Sequence, residues 1–292
     1  MNEVDHELAD TSHQDNAATA RTTPRPIWTL ARDACVKFKP PAFGLPSLDH
    51  ALYGWKPHAN TVLLGCPNAE ASDLALTLAE KFATSGGQVV WIGVGSNFPG
   101  ITERLVLRDA GIVVPNGATS IILDVADQRA VINASGRIGA LPINYCNLDE
   151  ACDEVAVQDF LVRVTSDAPT LIIVEPSVFG NSPRLDPFEI LVRRCNLDQL
   201  VDSLKVSNAD WRVLWQIPMT TDAVDWLAAE ALAKHDESVL IESADVVMFT
   251  RCPEDASRLD EAEVVITKNR FGPLTALSLR YAPELSSWSE RT

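Results

Sequence analysis

The sequence predicts an α/β fold with a mostly parallel central sheet, helices on both faces and an antiparallel hairpin at one edge. Three observations carry that expectation. Short runs apolar on both faces recur along the chain, as strands buried inside a parallel sheet require: TVLLG (61–65), QVVWIGV (88–94), TLIIVEP (170–176) and WRVLWQIP (211–218). Stretches with helical spacing of apolar residues lie between them, the alternation of a sheet covered by helices. The last runs, ADVVMFTR (244–251), AEVVITKN (262–269) and TALSLRY (275–281), follow too closely for a helix to intervene and are read as antiparallel neighbours.

The elements are justified in chain order. Residues 1–33 are polar, with no periodic apolar pattern, and are read as a disordered acidic and polar tail. Within it, Trp28 in TTPRPIW is either a docking element or an anchor onto its own domain. The main domain is placed at 34–285 and a short C-terminal tail at 286–292. The run 61–65 ends in Gly65. Residues 70–84 carry Leu74, Leu78 and Phe82 at helical spacing, with Gly86 and Gly87 just beyond the end. A second amphipathic helix is expected over 101–110, stopped by Gly111. Pro176 and Pro218 close their strands.

Composition narrows the function. The chain has 292 residues with mean hydropathy near zero, enough for one large domain or two small ones. No stretch approaches the roughly 18–20 apolar residues of a membrane span, and the polar N-terminus is unlike a secretory signal. Six cysteines without a CxxC pair argue for a reduced, cytoplasmic setting rather than a disulfide framework or a zinc site. A net charge of −16 speaks against tight non-specific nucleic-acid binding by a monomer, since such binding rests on phosphate neutralisation. It leaves room for a local basic groove inside an assembly. The five histidines do not cluster and suggest no triad or metal site.

The junction after Gly65 is where a phosphate loop of the form GxxxxGK[ST] would lie. Such a loop needs glycine for the backbone cradle, lysine for the β- and γ-phosphates and Ser/Thr for Mg²⁺. Here it reads Gly65, Cys66, Pro67, Asn68, Ala69, Glu70, Ala71, Ser72. Glu70 stands where the second glycine belongs and Ala71 where the lysine belongs. The first change adds a carboxylate near any polyphosphate and the second removes the cation. A helix N-terminus still attracts an anion, so weak binding of ATP with Mg²⁺, and poor hydrolysis, are expected.

Several segments, taken in order, resemble the RecA-like, P-loop motor domain of DnaB-type replicative helicases. FGLPSLDHALYGWKPH (43–58) resembles that family's LD-containing leading segment, and VVWIGVGSNFPGITERLVLRDAGI (89–112) its SLEM-like segment. LPINYCNLDEA (141–151) resembles its LP-x-x-I-x-D stretch, and LIIVEP (171–176) sits at Walker B. ESADVVMFTRCPEDASRLDEAEVVITKNRFGPLTALSLRY (242–281) resembles its final strands with the KNR-x-GP signature. The likeness spans about residues 40–282. RadA/Sms-type proteins share the KNRFG element and KaiC-type proteins the LD segment.

The resemblance implies roles residue by residue. Glu175 matches the Walker B carboxylate and, with Ser72, would hold Mg²⁺ if nucleotide binds. Gln216 falls near the family's phosphate-sensing glutamine. The activating glutamate falls near Gly95 or Ser96, neither of which can act as a base. Lys268 and Arg270 match the basic fingers that reach a neighbour's γ-phosphate; their plainer reading is that KNRFG shapes the edge hairpin. Arg184, Arg193 and Arg194 lie where the family contacts single-stranded DNA, or are simply surface arginines of an amphipathic helix. These matches imply a homo- or hetero-oligomer linked to replication or recombination, deficient as an ATPase and able to serve an active ATPase partner. The alternative is a non-enzymatic RecA-like scaffold that binds a partner protein without nucleic acid.

Overall fold

The computed structural model describes residues 42–65, 71–94, 98–114, 121–148, 160–161, 168–176, 210–218, 241–251 and 261–291. Its sheet is ordered around β1 (Asn60–Gly65), which pairs in parallel with β5 (Trp211–Pro218) on one side and with β6 (Val246–Arg251) on the other. Outward from β5 come β4 (Thr170–Pro176), β2 (Gln88–Val94) and β3 (Ile143–Leu148), all parallel. Outward from β6 come β7 (Glu261–Asn269), β8 (Thr275–Ala282) and β9 (Ser287–Glu290), each antiparallel to its neighbour. The nine-stranded order is therefore β3-β2-β4-β5-β1-β6-β7-β8-β9. The parallel sheet with an antiparallel edge agrees with the pattern of apolar runs.

Alternation along the strands divides the core. Leu63, Trp91, Leu171, Ile173, Leu214 and Met248 face α2 (Ala71–Thr84), whose Leu74, Leu78 and Phe82 are fully buried. Burying each such side chain contributes about 1.5–3 kcal/mol. Ile101 and Leu105 of α3 (Phe98–Asp109) and Ile138 of α4 (Val125–Gly139) join this cluster. So do Leu48 and Leu52 of α1 (Pro46–Leu52), beside the stacked rings of Phe43 and Trp55. The opposite face, with Val62, Leu64, Val90, Ile172, Val174, Val213 and Trp215, packs against Phe160, Leu161 and Ile241, which lie in helical turns.

The described chain departs from the sequence reading at its last residues. Residues 287–290 are not a tail but a strand. Trp288 is buried and stacks on Tyr281 with ring centroids 4.9 Å apart, and Glu290 accepts from Ser47 N and Oγ at 2.8 and 2.9 Å. A four-residue strand with one large apolar residue leaves no periodic signature, so it passed for a tail. The strand β3 and the helices α1 and α4 also went unread. Within α4 only Ala134 and Ile138 are buried, which gives no apolar stripe to detect; its start is instead set by a capping box between Asp124 and Asp127.

Candidate functional site

The parallel strands end on the same side of the sheet, and α2 begins there. Gly65 closes β1, and a Cβ added to it would lie 2.8 Å from the Ala71 Cβ at the start of α2. Such closeness needs glycine at position 65, where only a hydrogen fits against Ala71. Ala71 and Ser72 are both buried. Cys66, Pro67, Asn68, Ala69 and Glu70 lie outside the described residues.

Two of the expected site residues sit on the α2-facing side of the sheet. Glu175 follows Leu171 and Ile173 in alternation, and Gln216 follows Leu214, and those three leucine and isoleucine side chains pack in the α2 cluster. Glu175 accepts a hydrogen bond from the indole of Trp91, Nε1 to Oε2 at 2.9 Å. Trp91 lies two residues before Gly93, the β2 partner of Glu175, so the indole reaches diagonally across the ladder. Gln216 is 5% exposed and its Oε1 has no hydrogen-bond partner. A buried acceptor left unsatisfied costs about 1–3 kcal/mol.

A cluster the sequence reading did not single out stands beside α2. Asp73, 2% exposed, accepts from Tyr281 Oη at 2.8 Å. Arg104 of α3 brings Nη1 to 3.1 Å from Asp73 Oδ1 and makes a long hydrogen bond of 3.4 Å to Ser72 Oγ. The Asp73 contact lies off the N–H direction, so it is an electrostatic pairing rather than a hydrogen bond. One turn further, Arg108 donates to Thr77 Oγ1, Ser286 O and Glu80 Oε2 at 3.1, 3.0 and 2.6 Å. Burial pulls the Arg108 guanidinium pKa down, opposed by Glu80 and Asp73. The one signal in the sequence was the i, i+4 pair of arginines on a helix that otherwise buries isoleucine and leucine.

Lys268 and Arg270 lie far along the sheet, after a β-bulge that shifts the β6–β7 register between Val247 and Met248. Both are engaged within their own chain. Lys268 Nζ donates to the carbonyls of Ile241 and Glu242 at 2.9 and 2.7 Å, and Arg270 Nη1 lies 2.5 Å from Asp245 Oδ1. Asp245 also accepts from Asn60 N at 3.0 Å, tying the pair to the start of β1. The Asn269 side chain bridges Ala51 O, Pro273 O and Phe271 N, which shapes the turn. Arg270 keeps 61% of its side chain exposed. Arg184, Arg193, Arg194, Gly95, Ser96 and Trp28 lie outside the described residues.

Set against magnesium nucleotide, the described donors give a partial match. Position 71 carries a methyl in place of an ammonium, the Ser72 hydroxyl faces a guanidinium and the Glu175 carboxylate faces an indole. The start of a fourteen-residue helix remains as a feature that suits an anion. No described helix is long and apolar enough to cross a membrane, and no described cluster of His, Cys, Asp and Glu could hold a metal ion.

No protein-family model and no curated protein sequence matches the chain. Solved structures do, and they define the class: this is the RecA-like fold of P-loop ATPases. In particular it is the fold of the DnaB-type ATPase domain. Such a domain from a DnaB-like helicase matches with TM-score 0.68 at 16% identity, over 91% of this chain and 97% of its own. A DnaB-like replicative helicase, described with its interactions with primase, gives 0.65 at 17% identity over 91% of this chain and 66% of that one. The RadB recombinase gives 0.55 at 17% identity, over 86% and 100%. At such identities the likeness is one of fold.

Proposed function

We propose that this chain is a DnaB-like module of DNA replication or recombination that does not turn over ATP by itself and acts as a non-catalytic subunit beside an active ATPase. The observation that carries the reading is the state of the three positions a P-loop site depends on. Ala71 supplies no cation, Ser72 Oγ is contacted by Arg104, and Glu175 is contacted by Trp91. Hydrolysis in this fold relies on cations that neutralise charge developing on the transferred phosphoryl group, so their loss removes the largest source of rate. Arg270, mostly exposed at the edge hairpin, is the residue that would reach a neighbour; Lys268 would hold the hairpin in place for it. Single-stranded DNA would then be bound by the assembly rather than by the acidic monomer.

The test is ATP hydrolysis by the purified chain with Mg²⁺, with and without single-stranded DNA. Turnover at the background rate is expected. Turnover of about 1 s⁻¹ or more would overturn the reading. A second reading, a scaffold that binds a partner protein without nucleic acid, is favoured by one observation: both finger candidates are bonded within their own chain. Recovery of an intact ATPase of the same fold, whose rate falls when Arg270→Ala replaces the native chain, would decide for the first reading. A partner whose binding and activity ignore Arg270 and DNA alike would decide for the second.

A further inference from the structure

We propose that the outward face of α4 pairs antiparallel with the same face of a second copy of this chain, giving a two-fold symmetric dimer centred on Ile132. The proposal stands apart from the reading of the phosphate-loop positions and of Arg270. α4 is an outer helix that leans on α3, and only Ala134 and Ile138 are buried. At about 100° of rotation per residue, Val125, Arg129, Ile132, Gly136 and Gly139 lie on the side opposite those two, and all five are exposed. Val125 is 66% and Ile132 69% exposed, two turns apart on this face. Ile122, two residues before the N-cap Asp124, is 97% exposed. β-branched apolar side chains gathered in water along one ordered helix mark a contact surface rather than scattered exposure.

The glycines say which partner fits. A Cβ added at Gly136 or Gly139 would meet nothing within 4 Å, and neither residue has a positive φ. Neither packing within the chain nor backbone conformation therefore calls for glycine, which weakens a helix wherever it stands. What it offers is bare backbone for a close approach from outside. The face is uneven as a result. Val125, Gln128 and Arg129 make its first half bulky, and Ser135, Gly136 and Gly139 leave its second half bare. An antiparallel copy lays bulky half on bare half twice, by symmetry. With Ile132 meeting its own counterpart, Val125 falls opposite the partner's Gly139, Gln128 opposite the partner's Gly136 and Arg129 opposite the partner's Ser135.

Charge favours the same arrangement. No carboxylate interrupts these seven positions, in a chain that carries 40 Asp and Glu. Arg129 is their one charge, and the antiparallel pairing sets it against the C-terminal turn of the other helix, where a cation is favoured. A parallel pair would instead bring the two Arg129 side chains together. One helix per subunit keeps the contact below about 1,200 Å², the size of weak and transient associations.

Sedimentation equilibrium of the full chain from about 5 to 500 µM is expected to show monomer and dimer exchanging with a Kd on the order of 100 µM. Ile132→Glu places two carboxylates at the two-fold axis and is expected to raise Kd about tenfold or more. Its urea midpoint should stay put, since the side chain is mostly exposed. Gly136→Leu enters open space in the monomer and should hold or raise the urea midpoint, yet weaken the dimer about tenfold by filling the room left for the partner. Ile132→Cys under mild oxidation is expected to give a disulfide joining position 132 to itself, located by peptide mapping and absent from the native chain treated alike. A monomer throughout the range, a dimer indifferent to Ile132→Glu, a dimer strengthened by Gly136→Leu, or no disulfide at position 132 overturns the proposal. ATP turnover and the effect of Arg270→Ala test the proposed function alone and leave this contact untouched.

Discussion

Trp91 donates its indole N–H to the carboxylate of Glu175, Nε1 to Oε2 at 2.9 Å, diagonally across β2 and β4. Trp91→Phe keeps the ring's packing and deletes the donor. Glu175 is half-buried and has a further interaction, so the loss is held to about 1 kcal/mol. A urea midpoint that falls with an unchanged slope would show it; no change would mean that the bond does not hold the carboxylate.

The same bond bears on repair of the phosphate loop. Glu70→Gly with Ala71→Lys restores the residue types a P-loop uses, and affinity for ATP is expected to rise about tenfold or more. Turnover is expected to stay at background, because the Glu175 carboxylate faces an indole. Binding and turnover measured separately on the double variant check this.

Tyr281→Phe removes the hydroxyl that meets Asp73 at 2.8 Å. The carboxylate is 2% exposed, so water cannot take the place of the donor, and a loss of about 1.5–3 kcal/mol is expected in chemical denaturation. Adding Tyr281→Phe to Asp73→Asn should cost less than the sum of the two single changes, the signature of a direct pair.

Asp49 gives a pH dependence. Burial raises its carboxyl pKa above the ordinary 3.8, Glu290 raises it further, and the amides of Phe43 and Gly44 pull against them. The folded state therefore holds this proton more firmly than the unfolded chain. Stability contributed by the protonated form is present below 3.8 and is lost as pH rises from there through the folded pKa. Asp49→Asn keeps an acceptor for Phe43 N and should flatten that slope, with equal or greater stability at neutral pH. Urea titrations across the acid range read it; a steeper slope would reverse the sign.

Trp288→Ala empties a buried ring site against Tyr281 and α2, with an expected loss of about 3–5 kcal/mol. Removing residues 286–291 should cost at least as much. A stability change under about 0.5 kcal/mol would return this segment to the status of a tail.

The parallel part of the sheet was legible because strands buried on both faces write themselves as unbroken apolar runs, as in TVLLG, QVVWIGV, TLIIVEP, WRVLWQIP and ADVVMFTR; the antiparallel AEVVITKN and TALSLRY were legible from their close spacing. Edge strands obey no such rule. INYCNL and SWSE alternate or interrupt their apolar residues, since one side meets solvent, and neither was read as a strand. At the candidate site, the spacing of a phosphate-loop motif pointed to Gly65, Ala71 and Ser72, and the resemblance pointed to Glu175 and Gln216. Asp73, Trp91, Arg104 and Tyr281 were not, because their meeting depends on which helix crosses which strand, a fact of tertiary structure with no local trace.

The bond from Trp288 N to Thr77 Oγ1, and that from Tyr281 to Asp73, join positions more than two hundred residues apart. During synthesis the helix α2 leaves the ribosome long before the strand that backs it. Until residue 288 has emerged, Asp73 lacks its tyrosine and the apolar flank of α2 lacks its tryptophan. The nascent chain must therefore carry an unfinished, sticky helix through most of translation, and a holding chaperone has its greatest use in that interval.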